Sequence, residues 1–354
     1  MKTVLALLLA VTGAHWHLVP VPTTASFRGL SAIDEDIVWV SGTNGTVIRT
    51  TDSGKTWGVL PVPGAEDLDF RGIHAFSATT ALIMSSGPAE KGQARVYRTA
   101  DAGHHWAMVL EEKTSGAFFD AIAFWDAHHG ILVGDPVDGR FMLFTTEDGG
   151  ATWQRVPPAK LPPALEKEGA FAASNSCLAV EGSGNAWFAT GGASVARVFR
   201  SKDRGKTWSV ANTPAEPRNA STGIFSIAFR DGKHGVAVGG DYQQPDAAFP
   251  NPLVTSDGGQ TWRTAGPVEA KGYFLSAVAF MPNAEGLPSY VRAAGPGGDY
   301  LVRDNGQLAS EGDVNLNAIA FPVPIIGWAV GPKGTIARWN IDGPAGVYPH
   351  RRTF

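Results

Sequence analysis

One nine-residue pattern constrains this chain more than anything else in it. Thr145–Trp153 reads TTEDGGATW, and the same register returns in segments ending at Trp57, Trp106, Trp208 and Trp262. In each copy an aspartate (Asp52, Asp101, Asp148, Asp203, Asp257) stands two residues before a glycine and five before a tryptophan (Trp57, Trp106, Trp153, Trp208, Trp262). Those residue types describe a tight turn between two strands. The aspartate accepts hydrogen bonds from nearby amides, the glycine tolerates positive φ, and the tryptophan opens the next strand with its ring packed on the structure behind it. No copy carries the alternating acidic ligands and distal glutamate of a calcium loop, so the aspartates read as structural and no metal is expected.

The turn sits inside a longer repeat. Seven units each begin with an apolar strand: 28–33, 71–76, 120–125, 176–181, 225–230, 276–281 and 317–322. Two further strands follow in each unit, and a fourth starts at the tryptophan. The sixth unit has a degraded turn, Arg303-Asp304-Asn305-Gly306, with no tryptophan after it. Four short strands recurring every ~40–50 residues describe propeller blades. Residues 15–30 align with 55–73, Trp16 on Trp57 and Phe27-Arg28-Gly29 on Phe70-Arg71-Gly72, so 15–22 end a unit whose beginning is missing. The last unit, 315–341, lacks its outer strand. Joined, the two partial units close a ring and remove the unpaired sheet edges. The expected architecture is an all-β, seven-bladed β-propeller of four-stranded antiparallel blades over 15–341, with a tail at 342–354.

The turn pattern resembles the Asp-box, or BNR repeat, of sialidases and sortilin-type receptors, where the box is structural. Longer blocks narrow the resemblance: FFDAIAFWDAHHGILVGDPVDGRF (118–141), FAASNSCLAVEG (171–182), VFRSKDRGKTW (198–208) and GIFSIAFRDGKHGVAVGGDY (223–242). With them the whole chain is similar to the photosystem II stability/assembly-factor-like propellers. That resemblance implies an exported propeller with a scaffolding or chaperone-like binding role, and it fixes the fold better than the function.

Composition and charge exclude several classes. A net charge of −4 offers no nucleic-acid surface, and 44% hydrophobic with 18% charged residues describes a well-cored chain. Cys177 is the only cysteine, so no intrachain disulfide forms; it reads as a small buried hydrophobe. Met1–Ala14 reads as a short secretory signal, its apolar run too short to span a bilayer, and places the protein in a periplasm or outside the cell. The adjacent histidine pairs 104–105 and 128–129 point apart on extended backbone and make poor chelates. No phosphate loop, dinucleotide fingerprint or cysteine pair is present, so no cofactor is expected.

Propeller geometry assigns the remaining polar residues to a face. Inner strands start at one mouth of the central channel, beside the loops between second and third strands, and the Asp-turns lie on the opposite face. Arg28, Arg71 and Asp120 start inner strands; Asp135, Asp138, Arg140, Asp241 and Tyr242 fall in the loops. These eight residues are the candidate site, a charged rim for a partner protein or a small polar or anionic ligand. The competing reading is a structural network pairing Arg28 and Arg71 with Asp120 and Asp135. The long Pro-rich connection 154–173 is either a lid over the rim or a surface loop. The functional expectation is an exported, non-catalytic binding scaffold, taken as a monomer. The enzyme alternative is a glycoside hydrolase, sialidase-like or using two rim aspartates, although the arginine triad and Tyr–Glu pair of a sialidase are not recognisable.

Overall fold

The computed structural model describes residues 14–266, 274–282, 290–324 and 326–341. Among them, strands form seven separate four-stranded antiparallel sheets, the seven blades of a β-propeller. The inner strands are Phe27–Ala32, Phe70–Ala75, Phe119–Phe124, Leu178–Glu181, Thr222–Phe229, Ala277–Phe280 and Ala318–Val323. Each is followed in order by its second, third and fourth strand, except in blade 7. There the fourth strand is Ala14–Leu18, paired antiparallel with Ile336–Ile341, Trp16 opposite Trp339. The predicted ring closure is therefore the observed one. The segment expected to be a signal (1–14) and the tail expected at 342–354 lie outside the described residues, save that Ala14 begins this closing strand. Among the described residues no helix is long and apolar enough to cross a membrane.

Short alternating strands bury both faces of each blade against its neighbours. Trp39, Trp328, Trp339, Phe27, Phe70, Phe119, Phe188 and Phe199 are all fully buried between sheets. Each large aromatic removes ~200 Å² from water, on the order of 5 kcal/mol before the entropy of ordering it.

The five Asp-turns share one hydrogen-bond pattern, and it explains the hydroxyl residue two places before the aspartate as well as those after. In blade 3 the Thr146 hydroxyl donates to Asp148 Oδ1 (2.8 Å) and accepts from the Gly150 amide (3.0 Å). The Thr152 amide and hydroxyl then donate to the two oxygens of Asp148 at 2.9 and 2.7 Å. Blades 1, 4 and 5 repeat this with Thr50/Thr56, Ser201/Thr207 and Thr255/Thr261. In blade 2, His105 takes the place of the threonine, its Nδ1 lying 2.6 Å from Asp101 Oδ2. Gly150 has φ +78°, and a Cβ there would collide with Leu82 of the preceding blade. The glycine is required twice over, by backbone conformation and by blade-to-blade approach. The tryptophans divide: Trp57 and Trp106 pack edge-on against Trp328 and Trp39 of the preceding blade, while Trp153, Trp208 and Trp262 pack on Phe124, Phe188 and Phe229 of their own.

Blade 6, which lacks the full Asp-turn, carries a buried arginine cluster. Arg292, 4% exposed, bonds Asp299 and Glu311 at 2.6 Å each and stacks on Trp339 of blade 7 at 3.6 Å.

Candidate functional site: the channel mouth

Where the inner strands begin, the ladder to the second strand skips one residue in four blades. The skipped residues are Arg28, Arg71, Asp120 and Phe225. A bulge re-aims the extra side chain away from the pleat, and all four of these residues line a cavity of about 630 Å³ in the mouth. Asp135 sits at a fifth bulge, between the second and third strands of blade 3, and lines the same cavity.

The other side of the cavity is aromatic. Phe171 stacks on Phe225 at 3.9 Å between ring centroids, and Phe274 and Tyr242 approach Phe225 edge-on at 4.7 and 6.1 Å. Charged groups come from blades 1 to 3, and the rings come mainly from blades 5 and 6 and from the strap that crosses the mouth, with Phe118 of blade 3 on the charged side.

That strap is the end of the long connection 154–173, continued to Asn175. It is neither a loose lid nor a surface loop. Glu168, its side chain wholly buried, is held by Arg197 through Nε (2.8 Å) and a short contact from Nη2, and by the Thr190 hydroxyl at 2.7 Å. Beyond it, residues 170–173 enter the cavity wall. Asn175 accepts from the Ile122 amide at 2.8 Å and donates to the carbonyls of Ile122 and Ile73. It thereby bridges the inner strands of blades 2 and 3, which belong to separate sheets. The inner strand of blade 4 begins at Leu178 rather than at Ser176, where the pattern places it. Ser176 instead bonds Ser226 and Ser174, and Asn317 reaches the Phe27 carbonyl at 2.7 Å.

The arginines do not pair with Asp120 or Asp135. Arg28 donates to the Ala173 carbonyl at 3.0 Å, and Arg71 to the Ala172 carbonyl at 3.4 Å and to Asp69 at 2.7 Å. The competing reading of a structural Arg–Asp network is thus not what forms; the arginines bond the strap and Asp69 instead. Burial, and then the neighbouring Arg71 charge, lower the pKa of Arg28. Asp120 is 1% exposed and its Oδ2 has no hydrogen-bond partner. Burial first, and Asp135 second, push its carboxyl well above the usual range, against the pull of Arg71. Asp135 is half-buried and accepts from the Ala170 amide at 3.0 Å; burial raises its pKa to about 6.

Of the other rim candidates, Tyr242 lines the cavity and is 51% exposed. Asp138, Arg140 and Asp241 are not among the cavity-lining residues. Asp138 and Arg140 lie at the tip of a hairpin that carries them past the mouth, Arg140 donating to the Gly139 carbonyl. Asp241 is buried and saturated by Asn219, Ser221, Thr222 and the Gln243 amide. Burial alone would raise its pKa, but these donors, led by Ser221, outweigh it and hold the carboxyl down to about 2. It anchors two rim loops. Sequence patterning does not single out Phe171, Phe274, Asp69 or the two strap carbonyls as site groups. Asp69, two residues before Arg71, is the one member with a readable spacing.

Among the described residues no group of three or more His, Cys, Asp or Glu side chains is placed to hold a metal ion. His129 and His234 instead bond Asp126 and Asp231 three residues before them in turns between inner and second strands.

No family model matches the chain. It is 26% identical to the photosystem II assembly protein Ycf48 of Thermosynechococcus vestitus over 344 residues, 92% of this chain and 85% of that one. It is also 26% identical to the photosystem II assembly lipoprotein Ycf48 of a Synechococcus species over 262 residues, 71% of this chain and 66% of the relative. Among solved structures, one described as YCF48 bound to D1 peptide superposes with a TM-score of 0.63 at 18% identity, covering 92% of this chain and 95% of the other. The chain is a seven-bladed β-propeller whose curated relatives are photosystem II assembly factors.

Proposed function

We propose that this propeller is an exported, non-catalytic scaffold that binds a polypeptide segment of a partner protein in its channel mouth. The observation that carries the reading is the two-sided cavity. Bulged Arg28, Arg71, Asp120 and Asp135 face an aromatic wall of Phe171, Phe225, Phe274 and Tyr242 across about 630 Å³. A peptide offers apolar side chains and polar backbone within a few ångströms of each other, and such a cavity serves both. The relatives named as assembly factors, and the structure described with a bound peptide, support the same reading. The lipoprotein among those relatives supports placement outside the cytoplasm.

Glycoside hydrolysis needs two carboxyl groups that both reach the scissile bond or its attacking water. Asp120 lines the cavity but is only 1% exposed, with Oδ2 sealed from it, which leaves a scissile bond little access to that carboxyl.

The test is selection of peptides from a displayed random library on the folded protein, followed by affinity measurements on Tyr242→Ala and Arg71→Gln. Melting curves identify variants that keep the wild-type fold. The expected result is enriched peptides whose affinity drops about tenfold in either variant. Absence of enrichment, or peptides that bind wild type and both variants alike, overturns the reading.

A further inference from the structure

The charges around the mouth do not cancel. Arg28 and Arg71 stand against Asp69, Asp120 and Asp135, so full ionisation leaves one unit of negative charge unmatched. The surroundings supply no remedy. Glu168 on the strap is consumed by Arg197, and Asp241 on blade 5 by its hydroxyl and amide donors. Asp138 and Arg140, at the hairpin tip, carry opposite charges and lie outside the cavity. Cys177, on the blade 4 side, is kept a neutral thiol by burial and by Asp120. Both arginines are turned to the strap carbonyls and Asp69, which leaves Asp120 Oδ2 buried with no partner. A buried carboxyl oxygen in that position must take up positive charge from somewhere.

We propose that the mouth is built to hold one unit of positive charge, a proton when empty and the ammonium group of a bound peptide, from a lysine side chain or a free chain start, when occupied. Asp135, half-buried and facing the cavity, is the direct contact. Asp120 is the charge beneath it, and the stacked Phe171–Phe225 pair is the wall beside it, whose ring faces attract a cation. An ammonium is the fitting group because it is a compact point charge that replaces a proton with little change of shape. The exchange balances: the ammonium enters with its charge, and the carboxyl pair releases one proton to solvent. This inference rests on the peptide-binding reading above.

The experiment uses the full chain and three probes, acetyl-Phe-Lys-Gly-amide and its norleucine and glutamate counterparts, measured calorimetrically from pH ~5 to ~8 in buffers of different ionisation heat. The lysine probe is expected to bind most tightly, its affinity rising about tenfold per pH unit below pH ~6 and levelling above, with one proton released. Asp135→Asn abolishes that slope. Asp120→Asn, which leaves the contact residue in place, keeps the slope set by Asp135 but reduces the preference for lysine over norleucine, because the charge beneath the ammonium is gone. Equal binding of lysine and norleucine probes at every pH, or affinity that rises as pH falls, overturns the inference. If none of the probes binds while library peptides do bind at the mouth, the ammonium site alone falls. If the library also yields nothing, the peptide-binding reading falls with it.

Discussion

The Asp-turns and the mouth cavity hold aspartates in opposite states. On the turn face, Asp148 is exposed yet receives three short hydrogen bonds from Thr146 and Thr152. What burial it has would raise its pKa, but the Thr152 and Thr146 donors outweigh that and hold it down to about 2. At the mouth, Asp120 is buried with an oxygen unpartnered and Asp135 receives one amide, and both are raised. The difference lies in what the local backbone provides. A hydroxyl-flanked turn surrounds a carboxylate with donors from its own segment, so it works the same way in every blade that repeats it. A bulge only aims a side chain; its partners must come from other segments, and at Asp120 none arrives.

The strap is where the mouth depends on a distant partner most heavily. Glu168→Ala leaves the Arg197 guanidinium buried and uncompensated, and the expected loss is about 3–5 kcal/mol, read from urea denaturation. A near-neutral result would break the view that the mouth is fixed by this pair.

On the turn face, Gly150→Ala combines positive φ with a blade-to-blade clash against Leu82 and should cost about 2–4 kcal/mol. Gly64 has a similar φ of +73° with nothing within 4 Å, so Gly64→Ala should cost only about 1 kcal/mol. Equal losses in the two variants would show that the blade-to-blade approach contributes nothing.

Asp203→Ala removes one clamped carboxylate and should cost about 1–2 kcal/mol, comparable to loss of a helix cap. The mouth predicts the reverse sign, with Asp135→Asn neutral or stabilising at pH ~7 because it deletes a desolvated charge.

The smallest effect is in the pH profile of stability. Asp135 binds its proton more tightly folded than unfolded, so its contribution improves as pH falls from ~7 through about 6 toward the unfolded carboxyl range near 4. The clamped aspartates act in the opposite direction, their stabilisation present above ~4 and lost as pH falls toward about 2. A maximum at mildly acidic pH is expected, and Asp135→Asn should flatten its limb around pH ~6 while leaving the part due to Asp120 and the acid limb unchanged.

Blade count, strand order and ring closure were legible because each rests on short-range patterns repeated in register: the Asp–Gly–Trp turn, the apolar inner strands, and the match of 15–30 to 55–73. Arg28, Arg71 and Asp120 were legible as mouth residues for the same reason, since each starts an inner strand. Their partners were not. Asp241 precedes a loop much as Asp135 does, yet the Asn219–Thr222 segment turns it into an anchor. Asp138 and Arg140 are carried past the mouth because the blade 3 hairpin continues to Val137 and Arg140. Phe171 and the Ala172 and Ala173 carbonyls belong to an irregular segment without periodicity, placed by a salt bridge that spacing does not announce.

The seam in blade 7 has a consequence for how the molecule assembles. Blades 1 to 6 each draw their four strands from one continuous stretch, so each can zip up from adjoining hairpins. The pairing of Trp16 with Trp339 instead closes a loop spanning nearly the whole chain. Loop-closure entropy grows only logarithmically, about 0.6 kcal/mol per doubling of length, so the seam is thermodynamically modest. Kinetically it is expected to be a late step, because contacts of such separation form after local ones. Until it closes, the molecule is an open arc with unpaired strand edges at the seam, and that arc is the species most exposed to misassembly.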